Sequence, residues 1–207
     1  MLRLKYSKSG QGLNNKGFTL IEIAVVLVII GLILGAAVKG RDLIQSGKQK
    51  KFYTNSMKAW EIAVVSYYDR TGQVLGDSTA NGGTAAATNG LFDNVGGATF
   101  GAANGIDARL QAVGLTVPTS NTANSGQFSY KGQAGTVVTI TMSLQSLGNR
   151  NSLYFTNMPT DLAIALDTLV DGTVDGSTGN FRRWVNAAWP DASATLVVNA
   201  QYIIDVP

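Results

Sequence analysis

The 207-residue chain contains neither cysteine nor histidine. Without cysteine there is no disulfide framework, thiolate nucleophile or thiolate metal site. Without histidine, imidazole-dependent triads and histidine-ligated metal centres are excluded. Acidic side chains are missing from residues 1–17, which carry Arg3, Lys5, Lys8 and Lys16. The formal charge of +3 and the pI near 9.2 therefore do not describe the body of the chain. Residues 39–71 hold seven bases and three acids, whereas residues 72–207 hold five bases and nine acids. A basic leader and a basic neck precede an acidic body, so no nucleic acid is expected as the partner of that body. The apolar share of 45% is that of a folded chain with a core.

What is present is a long apolar run. From Phe18 to Val38, Glu22 is the one charged residue and Thr19 the one other clearly polar side chain. The run is long enough to cross a bilayer, which takes about 20 residues. The bases before it favour a cytoplasmic N-terminus, with residues 39–207 translocated. A carboxylate inside such a segment is costly and usually functional. A positive charge at the same depth would offset it, and cleavage between Gly17 and Phe18 would create one, a free α-amino group four residues from Glu22. Two other readings exist. An ordinary secretory signal could be cut near Gly35 and Ala37, and a plain anchor would need no cut. Neither uses Gly17-Phe18 or accounts for Glu22.

The sequence Lys16-Gly17-Phe18-Thr19-Leu20-Ile21-Glu22, followed by the apolar run, resembles the N-terminal signal of type IV prepilins and pseudopilins. The resemblance implies cleavage after Gly17 by a membrane prepilin peptidase and N-methylation of Phe18. It implies a role for Glu22 in assembly, where it neutralises the N-terminus of a neighbouring subunit. It also implies a homo- or hetero-polymer of pilin subunits, built by a pilus assembly machinery. The chain would be held once through the inner membrane and then extracted into a cell-surface filament.

Helical periodicity continues beyond the apolar run, with Phe52, Ser56, Trp60, Ala63, Val64 and Tyr67 sharing one face at spacings of three and four. The expected divisions are a leader over 1–17, a membrane or filament-core helix over 18–38, its amphipathic half over 39–71, and a head over 72–207. Gly31, Gly35, Gly40 and Gly47 are poor helix formers; Val38-Lys39-Gly40 stands near where many pilins have a proline, so a helix that loosens on assembly would have glycine as its weak point. The segment Leu75-Gly76-Asp77 also resembles a prepilin subgroup's Leu-Pro-Gly-Asp, without the proline.

Residues 72–135 are dense in Gly, Ala, Asn, Thr and Ser. They read as a long surface loop with a short helix near Ile106 to Val113. Alternating β-branched and aromatic residues predict strands over 127–131, 136–144, 152–156 and 194–204, with a turn at Asn149-Arg150-Asn151. Val137, Val138, Ile140, Met142 and Leu144 are the core candidates. A helix over 160–170 is expected to start on Thr160 or Asp161 and to face Leu162, Leu166, Leu169 and Val170 inward. The fold class is thus α+β: a long N-terminal helix packed on an antiparallel sheet over 127–207.

Asp167, Asp171 and Asp175 precede or occupy an Asp-Gly loop and could supply oxygen ligands to calcium, as some pseudopilins do. Their spacing is not that of an EF-hand, and tight turns use the same residues. Apart from calcium, no cofactor is expected. No nucleophile, oxyanion donor or phosphate loop accompanies the aspartates, so the chain is not expected to be an enzyme. The expected function is a structural subunit of a type IV pilus, a pilin or minor pilin. Alternatives are a pseudopilin of a type II secretion system, or a tip adhesin or DNA-capturing minor pilin. Arg182, Arg183 and Trp184 are the head's basic-aromatic cluster and read as the end of a surface strand.

Overall fold

The computed structural model describes residues 17–206, so the expected leader lies outside the described residues but for Gly17. The chain is a long helix followed by an antiparallel sheet, an α+β fold. It divides into two units, Met1–Ile44 and Gln45–Pro207.

Helix α1 (Leu20–Phe52) runs through Gly31, Gly35, Gly40 and Gly47 without a break. Four glycines at about 1 kcal/mol each are tolerated where long aliphatic residues fill the intervening turns. No side chain of its most apolar 18-residue window is buried against the protein. A helix with so apolar and exposed a stretch is long enough to cross a membrane.

Helical structure continues to Thr71, with an irregularity just after α1. Residues Tyr53–Lys58 form a π-helical turn before α2 (Ala59–Thr71). The wider turn turns Ser56 and Met57 inward along with Phe52 and Trp60. Gly72 ends α2 in the left-handed region at φ 67°, its N–H donating to the Tyr68 carbonyl at 2.7 Å. Such a conformation is open to glycine at little cost.

In Gln45–Pro207, six strands make one sheet in the order β1-β3-β4-β6-β5, with β2 also on β3. They are β1 (Val95–Gly96), β2 (Gln127–Lys131), β3 (Val137–Leu147), β4 (Arg150–Pro159), β5 (Phe181–Arg183) and β6 (Val197–Ile204). Every pairing is antiparallel. The hairpin turn is Gly148-Asn149, because Leu147 pairs with Arg150 and both Arg150 and Asn151 belong to β4. Gly148 at φ 59° suits the tight two-residue turn. Between Phe155 and Met158 the β4–β6 register shifts, with Asn157 at φ 56° as the extra residue.

The alternation of β3 puts Ile140, Met142 and Leu144 fully inside. Val137 is 60% exposed at the strand's start, so it is not a core residue. Trp60, Val64 and Tyr67 of α2 join Leu153, Phe155 and Phe181 in one buried cluster. Phe52 sits edge-on to Phe128, Tyr130 and Phe155, at centroid distances of 5.5, 6.0 and 6.2 Å. Truncating a buried ring such as Trp60 to alanine costs about 3–5 kcal/mol.

Residues 72–135 are more than a surface loop. Val74, Leu75, Phe92, Val95, Phe100, Ile106 and Leu110 all enter the core, and Phe100 packs on Trp60 at 5.0 Å. Helix α3 (Ile106–Ala112) lies where the short helix was expected. Helix α4 (Thr160–Asp171) starts after Pro159 with no side-chain cap. Fully buried Thr160 turns its hydroxyl to the Thr195 carbonyl, and Asp161 accepts from Gln45 and from the Gln133 N–H. The buried side of α4 is Leu162, Ala163, Leu166 and Asp167, while Leu169 is 39% exposed.

Candidate functional site

Gly17 and Phe18 precede α1 and are exposed, Phe18 at 83%. Thr19 stands at the N-cap position, and Glu22 three residues on. The Glu22 carboxylate accepts the Thr19 N–H at 2.7 Å and the Thr19 hydroxyl at 2.9 Å, all through Oε2. The Glu22 N–H in turn donates to the Thr19 Oγ1 at 3.3 Å. This is a capping box, in which two of the helix's free N–H groups are satisfied reciprocally. The carboxylate also sits at the positive end of the helix dipole. Glu22 is therefore held at the start of α1, next to the bond expected to be cut. The signal was there to be read, since Thr-x-x-Glu before an apolar run is a helix-start pattern.

Asp167, Asp171 and Asp175 each serve a different stretch of the loop after α4. Asp167 Oδ2 accepts the N–H groups of Asp175 and Gly176 and the Trp189 indole N–H. Asp171 accepts the N–H groups of Asn180 and Phe181. Asp175 accepts from the N–H groups of Ser177 and Thr178 and from both hydroxyls. The Thr178 hydroxyl is the leading cause that holds the Asp175 carboxyl down at about 2. Among the described residues, no three Asp or Glu side chains gather at metal-binding distance. Arg182 and Arg183 lie on the short edge strand β5, and Trp184 meets Tyr154 edge-on at 4.7 Å.

A second polar cluster joins the long helix to the sheet. Lys58 reaches Glu61 at 2.7 Å and the Tyr202 hydroxyl at 2.9 Å, and that hydroxyl donates to Glu61 at 2.8 Å. Burial works against the charge on Lys58, yet its hydrogen bonds to Glu61 and Tyr202 outweigh it and raise its pKa. Burial pushes the Tyr202 phenol up to about 12.

An exposed apolar helix long enough to cross a membrane, with a capped glutamate at its head and an antiparallel sheet after it, makes this an α+β protein whose architecture is consistent with membrane anchoring. Residues 12–38 match the family described as the prokaryotic N-terminal methylation motif. The chain is also similar to the fimbrial protein EcpC of Eikenella corrodens. The two are 32% identical over 124 residues, which cover 56% of this chain and 80% of that protein. The chain belongs to the type IV pilin-like family. No solved structure matches it.

Proposed function

We propose that this pilin-type structural subunit is a pilus subunit, a pilin or minor pilin, cut after Gly17 and N-methylated on Phe18. The single observation that carries the reading is the placement of Glu22. It is the one charge in the apolar run from Phe18 to Val38, whose side chains are exposed. Packed against copies of itself, that helix gains the apolar surroundings it needs. The new α-amine of a neighbour then meets the Glu22 carboxylate. Similarity to a fimbrial protein supports a pilus over a secretion filament. Gln45–Pro207 would face outward, as a structural coat and not an enzyme. Before assembly the chain would sit in the inner membrane with the apolar helix as its single span.

The test is N-terminal mass spectrometry of filaments sheared from the cell surface. The reading expects a peptide that begins at methylated Phe18. A chain that begins at Met1, or near Val38, overturns it.

A further inference from the structure

Three of the five lysines of Gln45–Pro207 line a single cavity. Lys48 and Lys51 come from the end of α1, three residues apart and so on one face. Lys131 comes from the end of β2. The cavity holds about 450 Å³, within the ~300–1,000 Å³ of small-molecule sites. Among the described residues the ion pairs are Lys58–Glu61 and Arg150–Asp205, so none of these three lysines is in a direct ion pair. Like charges around one hollow repel, and an anion in the hollow relieves all three.

The rest of the lining is mixed, with the aromatic rings of Phe52, Phe128 and Tyr130 beside polar residues, and its loop wall is held in place. Asn121 stands against the edge of β2 like a short piece of strand, donating to the Ser129 carbonyl at 2.7 Å and accepting its N–H at 2.8 Å. The Ser120 hydroxyl donates to the Gln127 carbonyl. The edge of β2 is thereby covered, and Thr119, Ser120 and Asn121 face the cavity from a fixed wall. Thr119 on that wall, with Asn55, Ser56 and Ser129 elsewhere in the lining, adds hydroxyl and amide groups that suit a hydroxylated ligand.

We propose that this cavity binds an anionic, hydroxyl-rich small molecule, a sugar that carries a carboxylate or a phosphate. The lysines take the anion, and the aromatic, amide and hydroxyl groups of the lining take the sugar body. The proposal stands apart from filament assembly, which depends on α1 and Glu22.

The experiment is an NMR titration of the full chain in detergent micelles, with sialyllactose, glucose 1-phosphate, lactose and inorganic phosphate as probes. The carboxylated or the phosphorylated sugar, or both, should move amides of residues 48–56, 119–121 and 128–131 in a saturable way; which of the two acts distinguishes the anion's source. Lactose should not. Changing all three exposed lysines, Lys48→Gln, Lys51→Gln and Lys131→Gln, should weaken binding at least about tenfold and leave the remaining spectrum in place. Binding that survives the triple change overturns the proposal, as does the absence of binding by both anionic sugars at concentrations on the order of 10 mM. Lactose binding equally well removes the anion from the account, and inorganic phosphate binding as tightly as glucose 1-phosphate removes the sugar. Loss of filaments in the triple variant, with no sugar binding by the parent, assigns the lysines to subunit packing and also overturns it.

Discussion

Trp189 donates its indole N–H to Asp167 Oδ2 at 2.6 Å, and that same oxygen accepts the backbone N–H groups of Asp175 and Gly176. One carboxylate, 2% exposed, thus ties the last turn of α4 to the loop after it and to a distant aromatic. Asp167→Ala would leave three donors without their acceptor. The expected loss is about 3 kcal/mol, as for hydrogen bonds to a buried charged group. For a domain of this size, that is a fall of roughly 6–12 °C in Tm by calorimetry.

The same geometry bears on calcium. Asp171 and Asp175 spend both oxygens on N–H and hydroxyl donors of their own loop, and Asp167 Oδ2 is taken by two loop N–H groups and the Trp189 indole. Dialysis against EDTA, followed by return of millimolar calcium, is expected to leave the thermal transition where it was. A rise in Tm that depends on calcium and is lost in Asp175→Asn would show that the loop opens to hold the ion.

Asp77 is a second organising carboxylate, 1% exposed and in no ion pair among the described residues. It accepts the N–H groups of Asn89 and Gly90. Asp93 does the same for Ser78, Thr84 and Ala85. Asp77→Ala is expected to cost about 2 kcal/mol. Hydrogen exchange should quicken at Asn89 and Gly90 well before it quickens in β3 or β4.

Alkaline stability should report the phenols packed between helix and sheet. Burial, with the Asp161 charge in support, pushes Tyr130 up to about 12, and burial does the same for Tyr202. Both are held protonated in the folded chain. The stability they add is whole below their ordinary value of 10 and is lost as the pH rises toward about 12. Lys58, also raised, falls away in the same direction. Urea midpoints should hold to about pH 9 and then drop steeply. The double change Tyr130→Phe and Tyr202→Phe should flatten that drop.

The regular elements were legible because hydrophobic period alone decides them. Spacings of three and four from Phe52 to Tyr67 named the buried face of the helix, and alternation over Gln127–Lys131 gave β2 its observed bounds. The order within residues 72–100 was hidden for a physical reason. It comes from Asp77 and Asp93 holding N–H groups far along the chain, and from Phe92 and Phe100, single aromatics with no period around them. Helix α4 misled by hydropathy: Leu169 would have been the inward residue, but Asp167 is buried because Trp189 and two N–H groups wait for it. The strand β5 is three residues long, too short for alternation to show. Nothing in the composition of Tyr53–Lys58 marks a π-helical turn. The Thr19–Glu22 cap has a sequence signal in Thr-x-x-Glu, and the same glutamate is also the one charge of the apolar run.

That charge is the centre of the account, and the cap gives a way to isolate it. Glutamine keeps an oxygen for the Thr19 N–H and hydroxyl, as capping boxes accept Glu or Gln at this position. Alanine removes both cap and charge. The decisive measurement is the amount of filament sheared from cells that express Glu22→Gln, compared at equal levels of chain cut after Gly17. The account predicts normal cutting and almost no filament, because the neighbour's α-amine has lost its counter-charge. Filaments at parental abundance from Glu22→Gln, with a loss only in Glu22→Ala, would show that Glu22 serves the helix start alone and would contradict it.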